Sequence, residues 1–198
     1  DTAVGAGVVC VIAAGNSGAY STILSPGCAR KALTVGASDK SDVIAYFSSR
    51  GPNKVDFGIK PDLTAPGVNI KSTFLGGGYQ TWSGTSMATP HVAGAAALLL
   101  QLHPDWTPEV IKGVLSQRAK DLGQDPFTQG GGRIQLVLAH LAKAVMTPSD
   151  LNFGVDDVSQ GVWSKTVTVA FKSLDTNTRA YALAVQGSLP AGITWSLN

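Results

Sequence analysis

Gly84-Thr85-Ser86-Met87-Ala88-Thr89-Pro90-His91-Val92-Ala93-Gly94 sets a serine where a glycine turn gives way to a long apolar run. The run continues to Leu100 and is apolar on every side, which predicts a helix buried inside the protein. Pro90 fits the first turn of that helix, where its missing N–H costs nothing. A serine at a helix start lies at the positive end of the helix dipole, and its backbone N–H points outward, free to hold a developing oxyanion. Gly84 and Ala88 leave room for a substrate backbone. A serine hydroxyl is a weak nucleophile, however, and needs a base, usually a histidine oriented by a carboxylate. No histidine precedes Ser86; the chain has His91, His103 and His140.

Upstream, Val8-Val9-Cys10-Val11-Ile12-Ala13 is a β-branched, continuously apolar run, the pattern of a parallel strand covered on both faces. Gly15-Asn16-Ser17-Gly18 ends it. Leu33-Thr34-Val35 and Asp62-Leu63-Thr64-Ala65 predict further strands, with shorter pieces at Asn69-Ile70-Lys71-Ser72 and Gln80-Thr81-Trp82. Downstream, Thr107-Pro108-Glu109 starts a second helix with a cap, a proline just inside and an acid in the first turn, and Val110 to Leu122 supply its apolar face. After Gly130-Gly131-Gly132, the residues Ile134, Val137, Leu138, Leu141 and Val145 predict a third amphipathic helix. Strands with helices interleaved or following make residues 1–146 an α/β domain with a parallel sheet and flanking helices.

The pattern changes at Met146-Thr147-Pro148-Ser149-Asp150. Beyond it Val167, Val169 and Phe171 alternate with Thr166, Thr168 and Ala170, and Tyr181, Leu183 and Val185 alternate with Ala182, Ala184 and Gln186. Residues 147–198 therefore read as the beginning of an all-β, sandwich-like domain, shorter than the roughly 100 residues a sandwich takes.

With 14% charged residues and a net charge of +2, the chain carries no basic field for nucleic acid. Val92 to Leu100 falls well short of the roughly 20 apolar residues of a membrane span. Cys10 and Cys28 leave a disulfide, two buried thiols or half a metal site open, and their spacing with three scattered histidines gives no metal-binding motif. No dense acidic loop marks a calcium site, although calcium remains compatible with the chain.

The stretch from Gly84 to Gly94 resembles the active-serine signature of the subtilisin-like serine proteases (subtilases). Ala13-Ala14-Gly15-Asn16-Ser17-Gly18 is similar to the segment that supplies the oxyanion-hole asparagine in that family. Phe47-Ser48-Ser49-Arg50-Gly51-Pro52-Asn53 and Lys60 to Val68 also resemble subtilase segments, with no inserted domain between Ser38 and Phe47. The resemblance implies Ser86 as nucleophile, Asn16 as oxyanion donor, the Ala13-Ala14-Gly15 backbone as a wall of the substrate pocket, a polypeptide substrate and an extracellular location. The terminal segment is similar to the fibronectin type III-like domains appended to some large subtilases. Alone, Gly-Asn-Ser-Gly is a polar turn and Gly-Thr-Ser a cap; in this order the two become a site.

One departure stands out. Subtilases run Asp, His, Ser along the chain, and the first two have no counterpart here. His91 lies five residues after Ser86, roughly 140° around a helix, and reads as a packing residue. His103 and His140 read as structural or surface residues. The expectation is a chain holding nucleophile and oxyanion hole, inactive alone, whose aspartate and histidine lie in a missing N-terminal part of the same protein. The alternative is a non-catalytic binding or adhesion module on the subtilase scaffold.

Overall fold

The computed structural model describes residues 1–154, 161, 164–184, 194 and 196. A short helix α1 (Thr2–Gly5) leads to three parallel strands, β1 (Val11–Ala13), β2 (Leu33–Ser38) and β3 (Leu63–Pro66), in the order β1-β2-β3. Val11 pairs with Leu33 and Val35 with Leu63. Only β2 is buried along its whole length. Leu33, Val35 and Ala37 enter the main core, while the Thr34 hydroxyl on the opposite face donates to the Gly27 carbonyl at 2.7 Å. The continuous apolar run at residues 8–13 yields a strand only from Val11, and that strand is half-buried. That partial burial leaves the two-sided cover that its composition predicts incomplete, and among the described residues β1 is also an edge with one neighbouring strand.

Past β3 the chain forms an antiparallel hairpin of β4 (Ile70–Phe74) and β5 (Gly78–Trp82), largely exposed, with Phe74 edge-on to Trp82 at 5.6 Å. The long helix α2 (Thr85–Leu102) then packs across all three parallel strands. It buries Ala88, Val92, Ala95, Ala96 and Leu99 against them. Its other side is open: Leu98 is 48% and Leu102 55% exposed, so the apolar-all-round helix is buried on one side only. Because α2 begins at Thr85, Pro90 is its sixth residue and not part of the first turn. The proline leaves the Ser86 carbonyl without its intrahelical N–H partner.

Helix α3 (Pro108–Gln117) starts as its sequence dictates, with the Thr107 hydroxyl accepting from the Val110 N–H at 3.3 Å. It ends before Ala119 and Leu122 because Lys120 pairs with Arg133 in a two-way backbone bridge. A further short helix, α4 (Pro126–Gln129), is capped by the Asp125 carboxylate on the Phe127 N–H. Three glycines follow, pressed against other segments: a Cβ on Gly131 would meet the Ser116 carbonyl oxygen at 2.2 Å, and one on Gly132 the Lys120 oxygen at 2.0 Å.

The predicted third helix is divided. Only α5 (Leu136–His140) is helical, and Val145 lies in a strand, β6 (Ala144–Thr147), buried in the core beside Gly113 of α3. Strand β6 pairs antiparallel with β7 (Ala170–Ser173), Met146 opposite Phe171. The Leu174 N–H extends this ladder to the Lys143 carbonyl at 2.9 Å. The alternation from Thr166 to Phe171 thus gives a strand only from Ala170, and none forms at Tyr181 or Leu183. Val185 and Gln186 lie outside the described residues. The α/β architecture with a parallel sheet holds.

Candidate active site

The carboxyl ends of parallel strands are where open α/β folds place their ligand sites, and Asn16 lies just past that end of β1. Ser86 is the second residue of α2. Thr85, fully buried between them, joins the two segments. Its N–H and its hydroxyl both donate to Asn16 Oδ1 at 2.9 Å, and the same hydroxyl accepts from the Gly15 N–H at 3.2 Å. A backbone N–H can only donate, so the oxygen of the Asn16 amide must face Thr85. Its Nδ2 hydrogens are then left with no protein acceptor among the described residues.

Gly15 holds the turn in place. Its φ of 107° lies in the left-handed region, and a Cβ there would strike Ser49 Oγ at 2.9 Å. The Ser49 N–H donates to the Gly15 carbonyl and Ser49 Oγ accepts from the Ser17 N–H at 3.1 Å. Ala14 is pinned to β2 by its N–H on the Val35 carbonyl at 2.9 Å. On the other side, the Gly84 N–H donates to the Gly67 carbonyl at 2.8 Å, which fixes the start of α2 relative to β3. Ser86 is exposed, and its backbone N–H has no protein acceptor among the described residues. The arrangement therefore presents an exposed hydroxyl with two unsatisfied N–H sources, one from a side chain and one from the main chain.

None of the three histidines hydrogen-bonds to that hydroxyl. His91 is exposed, with Nδ1 at 2.9 Å from the Met87 carbonyl of its own helix, so it is a surface residue and not the packing residue its sequence suggested. His103 Nε2 and His140 Nδ1 instead meet each other at 3.0 Å. Ala13, Ala14 and Gly15 lead directly into the Asn16 turn. Cys10 and Cys28 are both free thiols. Among the described residues no group of three or more His, Cys, Asp or Glu is arranged to hold a metal ion, and no helix is long and apolar enough to cross a membrane.

Sequence reasoning missed the role of Thr85, although a hydroxyl beside the serine was visible in the motif. It also missed a charged cluster at the opposite, amino end of the strands. There the buried Asp62 carboxylate accepts from Lys60 Nζ at 2.7 Å, Lys112 Nζ at 2.8 Å and the Thr34 N–H at 2.6 Å. Burial pushes the Lys60 ammonium below its ordinary value, the attraction of Asp62 opposing this and the neighbouring Lys112 adding to it.

The match to the Subtilase family model covers residues 1–132. The chain belongs to the subtilase family. Serine protease AprX of Bacillus subtilis is 46% identical over 154 residues, covering 65% of this chain and 34% of that protein. Subtilisin E of the same organism is 44% identical over 142 residues, covering 70% and 35%. The solved prenylagaramide maturation protease PagA superposes with a TM-score of 0.59 at 32% identity, covering 68% of this chain and 51% of that one. The self-cleaved protease domain of PatA gives 0.56 at 34%, covering 69% and 50%. This subtilase chain thus spans about a third of the length of these curated relatives and about half of these solved chains. Subtilase membership supports a serine protease on an α/β fold.

Proposed function

We propose that this chain is the nucleophile-bearing part of an extracellular subtilisin-like serine endopeptidase acting on polypeptides. Ser86 Oγ attacks the peptide carbonyl carbon, and its proton passes to a histidine supplied, with its aspartate, by sequence preceding Asp1. Asn16 Nδ2 and the Ser86 N–H hold the oxyanion. Collapse returns the proton to the leaving amine, and water then releases the acyl group from Ser86. The backbone of Ala13, Ala14 and Gly15 lines the substrate pocket. In this reading residues 1–146 belong to the peptidase domain and 147–198 begin a fibronectin type III-like β domain. Calcium is not required by any step assigned to these residues.

The observation that carries the reading is the Asn16 amide, turned by Thr85 so that its donors are free beside an exposed Ser86. Two features fit a preceding segment that completes the fold: the open edge of β1, and the apolar face formed by Leu98 and Leu102 of α2. Among the described residues no base is bonded to Ser86, and in this reading the chain alone is inactive or nearly so.

The test is labelling with a serine-reactive fluorophosphonate. The chain alone should label weakly, and the chain mixed with an N-terminal segment carrying the aspartate and histidine should label at Ser86. A folded complex that leaves Ser86 unlabelled defeats the nucleophile assignment and favours a non-catalytic binding module.

A further inference from the structure

His103 and His140 take no part in the site above, yet the fold brings them together across 37 positions of sequence. His103 closes the C-terminal end of α2, its N–H donating to the Leu99 carbonyl at 2.8 Å. Its ring lies flat on the buried Trp106, with centroids 3.8 Å apart and planes 4° from parallel. That stack fixes one imidazole. The other, His140, is the last residue of α5 and presents Nδ1 to His103 Nε2 at 3.0 Å, with the ring planes tilted by 42°. Both rings are half-buried. When both are neutral, the two facing nitrogens share a single hydrogen.

We propose that this pair is a transition-metal site in which Ni²⁺ or Cu²⁺ replaces the shared hydrogen. Imidazole nitrogens bind such ions at about 2.0–2.1 Å. Two nitrogens 3.0 Å apart, each at that distance from one ion, subtend about 95° at it. That angle suits the square or octahedral geometry of Ni²⁺ and Cu²⁺, and is narrow for the tetrahedral geometry of Zn²⁺. The negative end of the α2 dipole at His103 also favours a cation.

No proton need be lost overall. The ring whose facing nitrogen carries the hydrogen shifts it, through water, to its far nitrogen, and the other ring already has its hydrogen there. Those far nitrogens, His103 Nδ1 and His140 Nε2, have no protein partner among the described residues. Water completes the coordination, since no third His, Cys, Asp or Glu joins the pair. Asp105 and Glu109 follow His103 in the next turn and in α3, and Lys143 follows α5. The bound ion would tie α2 to α5 in the folded state alone, and so raise the melting temperature.

The experiment is titration of the full chain with NiCl₂ at neutral pH, followed by tryptophan emission and by thermal denaturation. Nickel is preferred because copper oxidises free thiols such as Cys10 and Cys28. The expected result is saturable binding of one Ni²⁺ per chain, with quenched emission and a raised Tm. The affinity should fall about tenfold or more in His103→Gln and in His140→Gln, and stay unchanged in His91→Gln. Should His103→Gln fail to fold by circular dichroism, His140→Gln decides alone, being half-exposed at the end of a short helix. Absence of saturable binding up to millimolar Ni²⁺, unchanged binding in His140→Gln, or lost binding in His91→Gln overturns the assignment.

Discussion

Replacing Asp62 by asparagine should remove a large share of the chain's stability. The substitution keeps the shape of the side chain and removes its charge. Lys60 and Lys112, with side chains only 4% and 11% exposed, then lose the carboxylate that bonds to both, and only the Asp150 carboxylate nearby still attracts them. Removing one partner of a buried ion pair costs about 3–5 kcal/mol, because the charge left behind is neither solvated nor paired. Here two charges are stranded by one substitution, so the upper half of that range applies. A domain of this size is stable by about 5–15 kcal/mol in all. With a urea dependence of about 2 kcal/mol per molar, the denaturation midpoint should fall by about 2 M. Equilibrium urea denaturation of the wild type and Asp62→Asn, followed by circular dichroism, measures this directly. A midpoint within about 0.5 M of the wild type would refute the reasoning, because it would mean that water or a rotated lysine already solvates these charges.

The Lys60 ammonium, lowered by burial from 10.5, should make stability rise as pH increases toward that value, since the native state releases this proton before the unfolded state does. Urea midpoints measured along an alkaline series should show the rise in the wild type and lose it in Lys60→Met. Gly131→Ala places a methyl group 2.2 Å from the Ser116 carbonyl oxygen and should cost about 1–3 kcal/mol, read as a lowered Tm. In the assembled protease, Asn16→Ala should lower kcat about 10²–10³-fold, a figure that comes from subtilisin itself. Thr85→Val should lower kcat by less and leave KM nearly unchanged, because it removes one of the two bonds on Asn16 Oδ1 and the bond from the Gly15 N–H while the backbone N–H still holds the amide, and it does not touch substrate; a change confined to KM would count against that role.

The residues that announced the site were those whose chemistry is local. The turn at Gly15-Asn16 and the serine at the start of α2 are legible because glycine, asparagine and a helix start each have a narrow set of uses. The α3 start was equally legible, its threonine cap and N-terminal proline acting within one turn. What failed was whatever depends on distant partners. Val145 continues a helical spacing on paper, yet it becomes a strand residue because β7 pairs with its backbone and α3 covers its side chain. Pro90 read as part of the first turn, but α2 already begins at Thr85, whose N–H is bound to Asn16 from far upstream, so the proline sits as the sixth residue of the helix. The three glycines looked like a chain break, but each abuts another segment's backbone. Asp62, with one lysine beside it and another fifty positions away, carried no sequence signal at all.

The ladder between β6 and β7 bears on where this protein can be cut. A truncation placed at residue 146, where the composition changes, would remove Thr147, Ala170 and Phe171 and leave Val145 and Met146 as a bare edge beside the core. The Lys143 carbonyl would lose its bond from Leu174 at the same stroke. A shortened version ending beyond Leu174 would keep that seam closed, and should stay soluble at concentrations where the shorter one associates.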